Sequence, residues 1–231
     1  MPADSANPLL TDRFCGSHDD LDRLAAALAD RDKEGWERYV RRRESEVCTA
    51  DLRGAHLPGH DLSGWHMEGV DLSDANLERA LLRGAKLARA RICCANLLGA
   101  QLTTADLEGA DISGCDLSGA DLTRAHLRVA KISDVTARGT VFRGSRMYRV
   151  QISGCDMKYA DLSGADGRYG SCIDSDLTGA DLHGSNFARA TFTNVAMNNA
   201  NLSLAYFCDS SLQSVTIDGA EMKGCLYPGR K

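Results

Sequence analysis

The chain has 231 residues, 43% hydrophobic and 26% charged, with a net charge of −5. That is enough chain for one large domain or two small ones and enough apolar content for a packed core, and the negative balance argues against general binding to nucleic acid. No apolar run approaches the roughly 18 residues of a transmembrane helix, and aromatic residues make up only 6% of the chain, so a core must be built from small units.

Residues 1–16, MPADSANPLLTDRFCG, are polar and Pro-containing and are expected to be flexible. They lack the basic start and apolar stretch of a secretory signal, which points to the cytoplasm. Nine cysteines, an odd number, are then expected as reduced thiols rather than a disulfide framework. Residues 17–49 predict short helices: Leu21, Leu24, Ala25 and Leu28 follow helical spacing with Ser17 placed to cap them, and Trp36, Tyr39 and Val40 share one side of a second segment.

From Ala50 to Gly224 the period is five, with 35 consecutive units and no insertion. The central position is large and apolar in 32 units, from Leu52 to Met222, the exceptions being Ala137, Gly167 and Cys172. The position two earlier is small except at His60 and Trp65. Two residues apart in an extended segment, these side chains face the same way. The next inward residue comes three later, so the chain must turn once per unit, and Gly54, Gly59, Gly64 and Gly69 stand where the turn falls. Short strands alternating with corners predict a solenoid whose stacked coils bury the Leu and Ala columns.

The unit A-[DN]-L-x-x, as in ADLEG, ADISG, CDLSG and ADLTR, resembles the pentapeptide-repeat family. The resemblance implies an all-β solenoid, a right-handed quadrilateral β-helix with four units per coil. On that basis residues 50–224 form nearly nine coils and a rod roughly 42 Å long, at the usual strand spacing.

An open solenoid must cover its end coils. Residues 17–49 are expected to be the α-helical N-terminal cap, with His60 and Trp65 filling a roomier first coil against it. Only a short tail, 225–231, follows the repeats, so Leu212, Ile217, Met222 and Tyr227 are expected to line a bare last coil and to support an end-to-end homodimer. Pairing through the C-terminal end also occurs in relatives of the family that the chain resembles.

Chemistry is scarce. There is no phosphate-binding glycine loop, nucleophile elbow or helical zinc motif. Cys93 and Cys94 lie along a corner, Cys115 and Cys155 are two coils apart, and His56 and His66 occupy different faces. No catalytic residue, cofactor or metal site is expected, and no enzyme activity. The outward residues are more informative. Asp106, Asp111, Asp116 and Asp121 form one ring around the rod, and Asp156, Asp161, Asp166, Asp176 and Asp181 begin a second acidic zone. These carboxylates either satisfy corner backbone groups or present a charged surface. Between the zones, residues 124–149 carry seven bases against Asp134 alone. One face gathers Arg128, Arg146, Tyr148, Arg149, Arg168, Tyr169 and Arg189, a combination suited to binding a protein partner, with neutralisation of the acidic zones as the other reading. The glycines and Cys172 at 167–172 remove bulk that Met147, Phe187 and Phe192 are placed to fill.

The expected function is therefore that of a non-catalytic scaffold presenting a rigid charged rod to a protein partner, with no direct nucleic-acid or membrane contact. The resemblance implies an alternative, imitation of duplex DNA toward a type II topoisomerase such as DNA gyrase, with protection from quinolone or peptide inhibitors. Such imitation needs continuous negative potential, which the basic belt interrupts.

Overall fold

The structure, a computed structural model, describes Leu9, residues 15–45 and residues 49–227. Of the segments expected to be flexible or terminal, 1–16 apart from Leu9, Cys15 and Gly16, and 228–231, lie outside the described residues.

Helix α1 spans His18–Asp30 and begins at Ser17, whose hydroxyl accepts from the Asp20 amide at 3.2 Å. Asp19 and Asp20 place negative charge in its first turn, where the helix dipole favours it. Arg31 ends the helix in the left-handed conformation, and its amide donates to the carbonyls of Ala27 and Leu28. Helix α2, Lys33–Ser45, follows at once. The Asp32 carboxylate accepts from the Gly35 amide at 2.8 Å, and a Cβ on Gly35 would sit 1.9 Å from that carboxylate, so a larger residue there would displace the capping side chain.

The rest of the described chain is a parallel β-solenoid. Five strands, β1 Lys131–Ser133, β2 Gln151–Ser153, β3 Ser171–Ile173, β4 Thr191–Thr193 and β5 Ser211–Gln213, pair in sequence order, Lys131 opposite Gln151 at the start and Thr193 opposite Gln213 at the end. Single-residue bridges repeat the offset on the other sides, from Asp51 opposite Asp71 to Tyr206 opposite Leu226. Each coil is thus four units of the repeat, as the family resemblance implied. The faces are numbered one to four in chain order, with β1–β5 on face one.

One unit shows how the sequence closes its hydrogen bonds. Ala110 N–H donates across the corner to Leu107 O at 3.0 Å, Asp111 N–H to Ala90 O in the preceding coil at 3.0 Å, and Ile112 and Gly114 N–H to Lys131 O and Ser133 O in the following coil at 2.9 and 2.8 Å. The fifth amide, of Ser113, points outward and is taken by the Asp111 side chain at 3.2 Å. Each outward Asp of the repeat accepts from the amide two residues on in this way, and Asn76, Asn96, Asn186 and Asn201 do the same. Asp or Asn before the central Leu is therefore the acceptor that completes the corner, since an unpaired buried amide is costly.

The core is the continuous column of inward residues from Ala50 to Phe207. Where Gly167 removes a side chain, the Phe187 ring of the next coil moves in: a Cβ at Gly167 would lie 2.1 Å from it. Phe187 stacks on Phe207 and meets Phe192 edge-on, and the space left among Gly167, Gly170 and Cys172 is about 10 Å³. That is about one water at most, so the missing bulk is compensated and leaves no pocket for a ligand.

The helices close the first coil. The Trp36 indole donates to His66 O at 2.7 Å beside the buried Trp65, and Lys33 Nζ reaches Ser63 O at 2.5 Å. Buried Asp20 accepts from the Asp51 amide at 2.7 Å and from the Tyr39 hydroxyl, with Arg43 at 3.4 Å. Burial first, and then the hydrogen bond to Asp20, push the Tyr39 phenol up to about 12. The amides of Ser17 and His56 donate to Asp51 O and Leu9 O, both at 2.9 Å. His60 is half-buried with Nδ1 3.1 Å from Pro58 O, a local contact within its own corner.

Candidate functional site: an arginine–tyrosine face

Face four carries the seven residues singled out from the sequence, in adjacent coils. Tyr148 and Tyr169 meet edge to face with centroids 5.4 Å apart. The guanidinium groups of Arg149 and Arg128 lie 5.4 and 6.0 Å from the Tyr148 centroid, and that of Arg189 lies 5.6 Å from Tyr169. Arg189 also donates to the Tyr169 hydroxyl at 2.7 Å. The result is an alternating Arg–Tyr ladder running along the rod.

The bases of this region differ in how far they are neutralised. Arg168 grips Asp166 of its own unit with two bonds of 2.8 and 2.7 Å. Arg128 approaches Glu108 at 3.8 Å, and Arg189 approaches Asp209 at 3.5 Å. Off this face, Arg138 pairs with Asp156 and Arg143 with Asp161, each at 2.6 Å and each reaching one coil forward, while Lys131 reaches back to Asp111 at 3.6 Å. Charge balance thus accounts for much of the basic belt. Arg124, Arg146 and Arg149 are exposed and form no ion pair among the described residues. Arg146 stands apart from the ladder, in the middle of the same face.

The acidic zones are tied down by the same contacts. Asp106, Asp111, Asp116 and Asp121 do ring the rod, one per face, and each gives one oxygen to its corner amide. Asp161 is held below the usual carboxylate range: burial opposes ionisation most, but bonds from the Ser163 hydroxyl and amide and from Arg143 outweigh it. Asp111, Asp121 and Asp176 follow the same balance, while in Asp166 the bond from Arg168 is the leading cause. Asp156 and Asp181 likewise accept corner amides. Along the outward columns no more than two acids are consecutive: Asp156 and Asp176 are followed by Ala196, and Asp161 and Asp181 by Asn201.

At the C-terminal end, Leu212, Ile217 and Tyr227 are exposed and Met222 is half-buried, around an open apolar cavity of about 140 Å³ that reaches back to Phe207. Buried Cys115, Cys155 and Cys172 are pushed up as thiols by burial, to about 12 for Cys115 and Cys172, so they are inert core residues. Among the described residues no group of three His, Cys, Asp or Glu side chains is arranged to hold a metal. His66 meets Glu37 of the cap at 3.3 Å.

Two features of face four escaped the sequence. One is which bases are neutralised, since most of the pairs join residues of neighbouring coils. The other is a run of one corner column without glycine, Val129, Arg149, Tyr169, Arg189 and Asp209, all at positive φ between 50° and 60°. Its signal was present as five consecutive absences of Gly at one corner.

A family model, Pentapeptide repeats, matches in eight copies over residues 49–84, 71–109, 105–144, 145–184 and 185–224. No curated protein matches the sequence. Among solved structures, the chain is similar to HetL, a pentapeptide repeat protein involved in heterocyst differentiation regulation from the cyanobacterium Nostoc sp. Strain PCC 7120. The two are 25% identical over 75% of this chain and 85% of that one, with a TM-score of 0.42. It is also similar to QnrB1, a plasmid-mediated fluoroquinolone resistance protein, at 20% identity over 71% and 91% and a TM-score of 0.45. A third likeness is to Rfr23 from the cyanobacterium Cyanothece 51142, at 18% identity over 51% and 90% and a TM-score of 0.39. With its repeats matched from 49 to 224, the chain belongs to the pentapeptide repeat family.

Proposed function

We propose that this protein is a non-catalytic interaction protein, a rigid rod that offers the Arg–Tyr face to a protein partner. The observation that carries this reading is the pairing pattern. Apart from Arg124 on a neighbouring corner, the other bases named on and beside this face meet carboxylates, whereas Arg146 and Arg149 keep exposed, uncompensated guanidinium groups beside the Tyr148–Tyr169 pair. Arg and Tyr together are the residues enriched where proteins meet proteins. The rod acts in the cytoplasm with its thiols reduced, and a second copy covers the open coil at Leu212, Ile217, Met222 and Tyr227.

Imitation of duplex DNA toward DNA gyrase is the weaker reading. The outward acids are interrupted along every column, and one oxygen of each repeat Asp is committed to its corner. The test is affinity capture from native lysate with the wild-type rod, with Arg146→Glu/Arg149→Glu, and with Arg138→Glu/Arg143→Glu. The proposal expects one captured protein to be lost only with the first pair. Equal capture by all three would overturn it. A parallel gyrase supercoiling assay in which the wild-type rod inhibits, and does so less at high salt, would favour DNA imitation instead.

A further inference from the structure

We infer that the partner contributes a short, extended, acidic segment, whose carboxylates are held by Arg146 and Arg149. This rests on the proposed function and narrows the chemistry of the partner.

The first support is the corner of face four. Five consecutive coils place Val129, Arg149, Tyr169, Arg189 and Asp209 at positive φ, a conformation disfavoured for bulky L residues and above all for a β-branched one. The longest run without glycine at another corner is Asp174, Asn194 and Ser214, small polar residues that tolerate it better. Glycine serves at 17 other corners of the same rod, so the fold does not require these side chains there. Non-glycine residues at positive φ also occur at other corners, as at Arg79, Arg124, Tyr159 and Leu204, but only this column keeps them through five consecutive coils. A run of that length, on the face that also holds the uncompensated bases, points to side chains retained for contact.

Charge and size then select the ligand. Arg149 is exposed and its guanidinium lies 5.4 Å from the Tyr148 ring centroid, a contact that steadies a planar donor fork suited to a carboxylate. The two tyrosine rings are already engaged with each other and with Arg128, Arg149 and Arg189, which leaves them poorly placed to stack on nucleobases. The acid within the face, Asp166, lies one coil from Arg146 and is taken up by Arg168, and further acids stand at its two ends: Glu108 precedes Arg128, and Asp209 follows Arg189. From Val129 to Arg189 is three coil steps, about 14 Å, or four to five residues of extended chain. A duplex or a long single strand would run onto the carboxylates at the two ends.

The experiment is fluorescence anisotropy with a fluorescein-labelled peptide of four glutamates flanked by Gly and Ser, its glutamine counterpart, and an oligo-dT and an oligo-rU of about twelve nucleotides. The glutamate peptide is expected to bind, to weaken about tenfold or more in Arg146→Ala/Arg149→Ala, and to weaken again with salt. It is expected to be unchanged within about twofold in Arg138→Ala/Arg143→Ala, with equal melting temperatures showing that both variants fold. No binding, equal binding of the glutamine peptide, or tighter binding of either oligonucleotide would overturn the acidic segment. A photo-crosslinker at Val129 separates this from the proposed function. A crosslinked partner that is lost in Arg146→Glu/Arg149→Glu and displaced by excess glutamate peptide supports both. One that is lost in the variant but not displaced overturns the acidic segment alone. One that persists in the variant overturns both.

Discussion

Four columns of central residues, one per face, run the length of the rod, and their two ends can be compared residue for residue. Leu52, Leu57, Leu62 and Met67 of the first coil are fully buried. Their counterparts in the last coil, Leu212, Ile217, Met222 and Tyr227, occupy the same positions of the same unit, yet Leu212 and Ile217 are 40% and 41% exposed. The repeat determines where a side chain points, whereas burial comes from the next layer. At one end that layer is α1, α2 and the strand-like contact of Leu9, anchored by Trp36 and Asp20. At the other, no described element lies beyond the final coil.

The largest effect expected from this contrast is at the cap. Trp36 is buried and bonded to His66 O, so Trp36→Ala should cost about 3–5 kcal/mol. Denaturant unfolding followed by far-UV circular dichroism would read it, and a loss under about 1 kcal/mol would mean the helices merely rest on the rod. Acid comes next, as a collective effect. The carboxyls of Asp51, Asp61, Asp111, Asp121, Asp161, Asp166 and Asp176 are lowered in the folded rod. Their contribution is complete above the unfolded carboxylate range, about pH 4, and disappears as pH falls through the folded values. The melting temperature should therefore hold from pH 7 to about 5 and drop below 4, and a rise on acidification would contradict the corner role of these side chains.

A third change acts in the opposite direction. Val129→Gly relieves a left-handed β-branched residue at an exposed corner and should stabilise the rod by up to about 1 kcal/mol, seen as a higher melting temperature. A clear loss would show that the Val129 side chain supports the fold. The smallest effect belongs to the bare end. Leu212→Ala should cost under about 1 kcal/mol, well below the roughly 2–5 kcal/mol typical of a buried leucine such as Leu52. If the two cost the same, the last coil is covered in solution, as pairing with a second copy requires, and the asymmetry between the ends disappears.

Much of this is legible in the sequence. The repeat period alone separates inward from outward positions, and Ser17, Leu21 and Leu24 announce α1. The gathering of Tyr148 and Tyr169 on one face follows from a coil of four units, a number that came from the family and not from the period. What the sequence hides is reach along the axis. Arg143 turns to Asp161 one coil ahead, while Arg168 turns to Asp166 beside it, and no spacing rule distinguishes the two. Nor does composition reveal that Asp111 and its equivalents serve the backbone first, because the same carboxylate reads equally as surface charge until its amide partner is seen.

The constant offset of four units between paired rungs also makes the rod a device that counts. Deleting a whole coil between the cap and Lys131 would shorten the molecule yet leave the Arg–Tyr ladder on the same side of α1 and α2. Deleting a single unit would preserve every corner and turn the ladder a quarter of the way around. The direction in which this protein faces its partner, relative to its own helices, is therefore set by the number of units between them modulo four, so insertions and deletions here are acts of rotation as much as of length.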